Sequence, residues 1–240
     1  MKIVKLLFLF TWCYAIVSCS NQETYDVLIK NGQILDGSGE ASYIGAIGIN
    51  ADTIVAIGTL ENAKGIQEID ATGLAVAPGF INMLSWATES LIIDGKSESD
   101  IRQGVTLEVM GEGWSMGPLN EEMRQQELSV QKDYTYPIEW TTLGEYLEFL
   151  EAKGIAPNVA SFVGATTLRI HEMGEANRPP TPKELENMKA LARTAMEEGA
   201  MGIGSSLIYA PAFYADVEEL IALCKIASEY DGMYISHMRS

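Results

Sequence analysis

Basic residues are scarce in this chain: 16 Lys and Arg stand against 33 Asp and Glu, a formal charge of −17. So acidic a chain does not seek phosphate backbones or anionic lipid surfaces, which excludes nucleic acid as a partner. Cysteine is nearly missing, with three in all: Cys13, Cys19 and Cys224. The first two fall in or beside a leader-like segment, so no disulfide is expected. Cys224 shares a helical face with Leu220, Leu223 and Ala227 and reads as a buried thiol. No Gly-x-Gly-x-x-Gly follows the first long apolar strand, which leaves a dinucleotide-binding fold without support. The apolar run at residues 6–17 is too short to span a bilayer with ordinary flanks.

What is present begins with that run. Lys2 and Lys5 precede it, and it ends in Ile16-Val17-Ser18-Cys19, which resembles a bacterial lipobox. The expectation is a lipoprotein-type signal peptide over residues 1–18, acylation of Cys19, and a short polar tether over 20–24. The alternative is an ordinary secretory signal that happens to contain cysteine. On the lipoprotein reading the mature chain is exported and lipid-anchored, on the periplasmic or cell-surface side of a bacterial membrane. Its formal charge falls to about −19, because the leader carries two lysines and no acids.

The remainder, with 47% hydrophobic and 20% charged residues over the whole chain, has ample core for a globular fold. Residues 25–73 read as short antiparallel strands cut by Asn-Gly, Gly-Ser-Gly and Asn-Ala-Asp turns, a small β-module unable to bury its inner face alone. Leu74 to Trp86 is an apolar run of strand length broken by Pro78-Gly79, and strand and helix alternate after it. A helix is expected in 90–104, a strand from Gly104, and a polar, irregular insertion with helix-forming stretches over 120–139. An amphipathic helix follows at 143–153, then a strand through 155–164. Thr181, Pro182 and Glu184 form a capping box before a helix reaching Glu198, Gly199 ends it, and Asp216 caps the next helix. Counted from Leu74, that gives five strands with crossover connections, either an open doubly wound sheet or an eight-unit barrel.

The segments YDVLIKNGQILDG, AIGINADTIVAIG and IDATGLAVAPGFI resemble the opening of the amidohydrolase superfamily. The segments GVTLEVMGEG, NVASFVG, RPPTPKELENMKALARTAMEEGAMGIGSSLIYAP and ELIALCKIASEYDGMYISHMR are similar to its D-aminoacylase branch, the N-acyl-D-amino-acid deacylases. The resemblance runs from about Tyr25 to the C-terminus. It implies an α/β fold, an incomplete (β/α)8 TIM-type barrel over 74–240, preceded over 25–73 by part of a composite β-sandwich. The chain would be the N-terminal portion of a longer protein and inactive by itself.

The resemblance also implies zinc-dependent hydrolysis of a small N-acyl or cyclic amide, with a carboxylate base passing the proton to the leaving amine. In that family the base is an aspartate after the last barrel strand, and a further histidine ligand follows strand six; neither lies within these residues. Several motif positions depart from the family. The two histidines after its first strand are Leu84 and Trp86 here, flanking Ser85, and the aspartate before them is Asn82. The histidine after the third strand's Val-Gly is Ala165. The bridging cysteine after strand two is replaced, in a loop one residue shorter, by Glu112, a competent anionic ligand.

The expected metal ligands are therefore Glu112 and His237, holding one zinc rather than two. His237 sits at the end of a strand, where barrels keep their chemistry. Tyr209 and Arg239, following strands four and five, are expected to contact substrate. His171 has no motif role and reads as a surface or supporting residue, and Met110, Trp114 and Met116 as pocket wall. The competing reading is a catalytically degenerate binding lipoprotein that kept the pocket and lost the chemistry.

Overall fold

The computed structural model describes residues 23–239, in two units that meet in sequence at Pro78 and Gly79. The leader and Cys19 lie outside the described residues. Among those described, no helix is long and apolar enough to cross a membrane.

The first unit is one sheet. Strands β1 (Thr24–Ile34), β2 (Tyr43–Asn50), β3 (Thr53–Gly58) and β4 (Lys64–Asp70) lie in the order β3-β2-β1-β4, and β5 (Ala75–Val76) also pairs with β1. β2 runs antiparallel to its neighbours, but β4 and β5 run parallel to β1, which corrects the all-antiparallel expectation. Asn31-Gly32 is likewise not a hairpin turn. Asn31 takes φ 61° and the register with β2 shifts there, so an 11-residue strand passes through with a bulge. Tyr25, Leu28 and Ala46 form a small buried cluster, while Ile44, Ile54 and Ile66 remain exposed.

The second unit alternates strand and helix. After β6 (Phe80–Asn82) come α1 (Thr88–Ile93), α2 (Glu98–Ile101), β7 (Val105–Met110), α3 (Glu121–Val130) and α4 (Leu143–Lys153). Then follow β8 (Asn158–Ser161), β9 (Val163–Gly164), α5 (Ala165–Met173), α6 (Pro182–Glu197), β10 (Gly202–Ser206), α7 (Val217–Ser228) and β11 (Met233–His237). The pairings are all parallel, β6-β7-β8 and β9-β10-β11. β8 and β9 are one strand interrupted at Phe162, whose N–H donates to the Met110 carbonyl on β7 at 2.9 Å. The fold is thus mixed α/β, with every strand of this unit pointing its C-terminal end the same way.

The run Leu74–Trp86 is not a single strand. Ala75-Val76 pairs with β1, Pro78-Gly79 breaks the run, and Phe80–Asn82 pairs with β7. The insertion at 120–139 holds α3 in one of its helix-forming stretches, and its Tyr136 and Ile138 enter the main core beside Trp140. The Trp140 indole N–H donates to the Met116 carbonyl at 2.6 Å, and its ring lies 5.2 Å from that of Tyr146 on α4. Capping boxes at Thr142/Glu145 and Thr181/Glu184 start α4 and α6. Arg169 on α5 and Glu219 on α7 form an ion pair with side chains 0% and 1% exposed. The same guanidinium donates to the carbonyls of Ala176 and Arg178. Cys224 is half-buried and free, its thiol pushed up by burial.

Candidate functional site at the strand ends

β7 leaves its sheet through Gly111-Glu112-Gly113, and the two glycines decide where the glutamate goes. Gly111 takes φ 89°, and a Cβ there would lie 2.0 Å from the Phe162 carbonyl oxygen; one on Gly113 would lie 2.3 Å from Ser206 Oγ. Only bare backbone can lie this close to the ends of β8 and β10. Glu112 is thereby held over them, and Ser206 Oγ donates to its Oε2 at 3.4 Å.

β11 supplies the second group. Its parallel register with β10 places His237 beside Ser206, and the Leu207 N–H donates to the His237 carbonyl at 2.8 Å. His237 Nδ1 then stands 3.9 Å from Glu112 Oε2, with side chains 42% and 13% exposed respectively. The gap falls within the reach of two zinc bonds of about 2.0–2.2 Å each, and imidazole nitrogen with carboxylate oxygen is a donor set that zinc accepts. Among the described residues no third His, Cys, Asp or Glu joins them to complete a metal-binding group.

Tyr209 packs edge-on against His237, ring centroids 5.5 Å apart at 85°, and so limits rotation of the imidazole. Arg239 is turned to the short 3-10 helix Ala212–Tyr214. Its guanidinium donates to the Ala215 carbonyl and lies over the Phe213 ring, 5.9 Å from the centroid. Leu84 and Trp86, both exposed, offer no ligating atom, and Ala165 is buried at the start of α5. Asn82 Nδ2 donates to Glu108 Oε2 at 3.1 Å, and Asn82 Oδ1 accepts from the Leu84 N–H at 3.2 Å. Glu108 is 1% exposed, and its other oxygen has no hydrogen-bond partner among the described residues.

Beside Glu112 lies a cavity of about 440 Å³ walled by Trp86, Trp114 and Met116, with Glu89 and Glu127 also on its lining. Trp114 and Glu127 separate it from a second cavity of about 880 Å³, where His171 and Glu172 are found. His171 Nδ1 is 2.8 Å from Glu172 Oε1, so the histidine is engaged locally. The sequence reading missed Glu89, Glu127 and Tyr136. Tyr136 Oη donates to Glu89 Oε1 at 3.0 Å, and burial followed by that bond pushes the phenol up. Burial, with Glu89 adding to it, pushes the Glu127 carboxyl up. Glutamates on the early turns of α1 and within α3 look, as sequence, like any solvated helix face.

No family model matches the chain. Named relatives do. The D-aminoacylase of Alcaligenes xylosoxydans xylosoxydans is 35% identical over 225 residues, 93% of this chain and 46% of the relative. A solved D-aminoacylase, whose binuclear metal centre is described as showing one-metal activation and second-metal attenuation, superposes with a TM-score of 0.81 at 31% identity. That match covers 90% of this chain and 46% of the other. The N-acyl-D-glutamate deacylase of Bordetella bronchiseptica, solved with zinc and a phosphonate mimic of the tetrahedral intermediate, gives 0.80 at 29% identity over 91% and 46%. The chain spans about half the length of the curated relatives it matches.

Proposed function

The chain is a homologue of D-aminoacylase and the N-acyl-D-amino-acid deacylases of the amidohydrolase family, and from that premise we propose that it supplies the first five βα units of a (β/α)8 barrel that hydrolyses the amide bond of N-acyl-D-amino acids. The observation that carries this reading is the meeting of Glu112, just after β7, and His237, at the end of β11, at the C-terminal ends of the parallel strands. Those two side chains would hold a single zinc, with Glu112 in the place of the family's bridging cysteine. Zinc bound there supplies Lewis-acid polarisation of the scissile carbonyl.

The chain's own residues prepare that position. Ser206 donates to Glu112 and so orients the carboxylate. Tyr209 steadies the ring of His237 and presents an exposed phenol toward substrate. Trp86 and Trp114 line the space beside Glu112 and give it apolar wall. Arg239 gives the mouth a cation for the substrate carboxylate once it exchanges its contact with the Ala215 carbonyl. The leader motif at Ser18-Cys19 supports export and lipid anchoring through Cys19. Relatives named as deacylases give the non-catalytic binding reading no support.

The test is hydrolysis by the purified full-length protein, with zinc, of N-acetyl-D-amino acids set against their L-enantiomers. Release of amino acid from the D-series, lost in Glu112→Ala and His237→Ala, is expected. A protein that binds zinc and cleaves neither series would overturn the reading.

A further inference from the structure

We infer that the cavity beside Glu112 selects substrates by side-chain charge, preferring N-acyl-D-amino acids with a basic side chain, and that Glu127 sets this preference; the inference rests on the deacylase reading above. Glu112 belongs both to the candidate metal pair and to the wall of the cavity. A substrate whose amide is held at Glu112 and His237 therefore has an adjoining space of about 440 Å³ for its side chain. Trp86, Trp114 and Met116 offer apolar surface for an alkyl stem. The ionisable groups on the lining are Glu89, Glu112 and Glu127, with no Lys, Arg or His among them.

The three carboxylates are not equivalent. Glu112 accepts from Ser206, and Glu89 accepts from Tyr136. Glu127, half-buried on α3, has neither hydrogen bond nor ion pair among the described residues and faces the charge of Glu89. Burial and that neighbour both penalise its ionised form, and a cationic guest offsets both penalties at once. The adjoining cavity, which shares Glu127, adds Glu122, Glu175 and Glu172, the last engaged by His171, so carboxylates predominate there too. An acidic side chain, such as the one the Bordetella relative's name specifies, would meet repulsion here.

The experiment compares N-acetyl-D-lysine, N-acetyl-D-norleucine and N-acetyl-D-glutamate on the full-length zinc protein, by kcat/KM and by calorimetric binding. Norleucine keeps the alkyl stem of lysine and removes the ammonium. A lysine-over-norleucine ratio of at least about tenfold is expected, as for one charge-assisted hydrogen bond, with glutamate the poorest of the three. Glu127→Gln should lower that ratio about tenfold, and Glu127→Lys should favour the glutamate derivative. A wild-type preference for norleucine or glutamate, or a ratio unmoved in both variants, overturns the inference. The binding arm separates the two claims. Turnover of none of the amides, with lysine still bound in preference and that preference lost in Glu127→Gln, removes the deacylase reading and keeps the charge selection. Binding without charge preference removes the inference whether or not turnover occurs.

Discussion

His237 Nδ1 stands 3.9 Å from Glu112 Oε2, and Ser206, the donor to that same oxygen, is the lateral strand partner of His237. Two donor atoms from non-adjacent strands are tied together by a third residue that touches both elements. The first prediction follows from this triangle. The full-length protein should bind one zinc, since Leu84 and Trp86 cannot hold a second. Glu112→Ala and His237→Ala should each strip most of the metal. Ser206→Ala should weaken it by about tenfold, the scale of a lost ligand-orienting contact, and Trp86→Phe should leave it in place. Elemental analysis after dialysis measures all four; two stoichiometric metals, or full zinc in both alanine variants of the pair, would contradict the assignment.

Gly111→Ala should unseat the loop. The new methyl would lie 2.0 Å from a carbonyl oxygen, at a φ of 89° that side chains rarely adopt. The cost should exceed about 1 kcal/mol, and zinc binding should fall with it. Urea denaturation of the full-length variant, paired with a metal assay, checks both parts.

The buried pair of Arg169 and Glu219 gives a stability prediction of different form. Burial pushes the Glu219 carboxyl up, while Arg169 pulls it back. Arg169→Met removes the pull and leaves a carboxylate in the core, so the loss should be about 3–5 kcal/mol. Arg169→Met with Glu219→Leu should recover much of it, because two apolar side chains need no partner. Chemical denaturation of the two variants decides; a double variant no better than the single one would mean the carboxylate is not the cause.

At the start of α6, Arg178 and the Thr181 backbone hold the Glu184 carboxyl down to about 2, from an ordinary 4.5. A lowered value in the folded state means that this contribution is full above about 4.5 and lost as the pH falls toward about 2. The Tm of Glu184→Gln should therefore lie below that of the parent at pH 7 and approach it near pH 2. Its partner Arg178 is exposed and the carboxyl itself partly so, and added salt should therefore narrow the gap at neutral pH. Thr181→Ala, which loses the cap hydroxyl itself, should cost about 1 kcal/mol at either pH.

The helices with strong end signals were legible in the sequence. Thr181 and Asp216 cap where the side-chain chemistry says they should, and Leu143–Lys153 forms with the expected bounds, its Thr142 cap adding a start signal that the apolar spacing alone did not name. Parallel pairing of β4 with β1 was not legible, because alternation along a strand says nothing of its neighbour's direction. An apolar run also carries no mark of which sheet takes which part, so Leu74–Trp86 read as one strand although two share it. Tyr136, Ile138 and Trp140 were hidden by the polar residues around them. The pairing of Glu112 with His237 was expected from the family resemblance together with their places after strands, and the structure brings the two side chains to 3.9 Å. Glu127 carried no comparable signal; its role depends on a cavity that only packing creates.

The contact of Gly111 with the Phe162 carbonyl has one more consequence. Peptide groups locate the loop, so the side chain at position 112 is a tenant and the backbone is the lease. A lineage could exchange glutamate for cysteine, aspartate or histidine there without rebuilding anything underneath, and so revise its metal chemistry by single substitutions. The glycine at 111 has no such freedom, and across diverging sequences the inert position should outlast the reactive one.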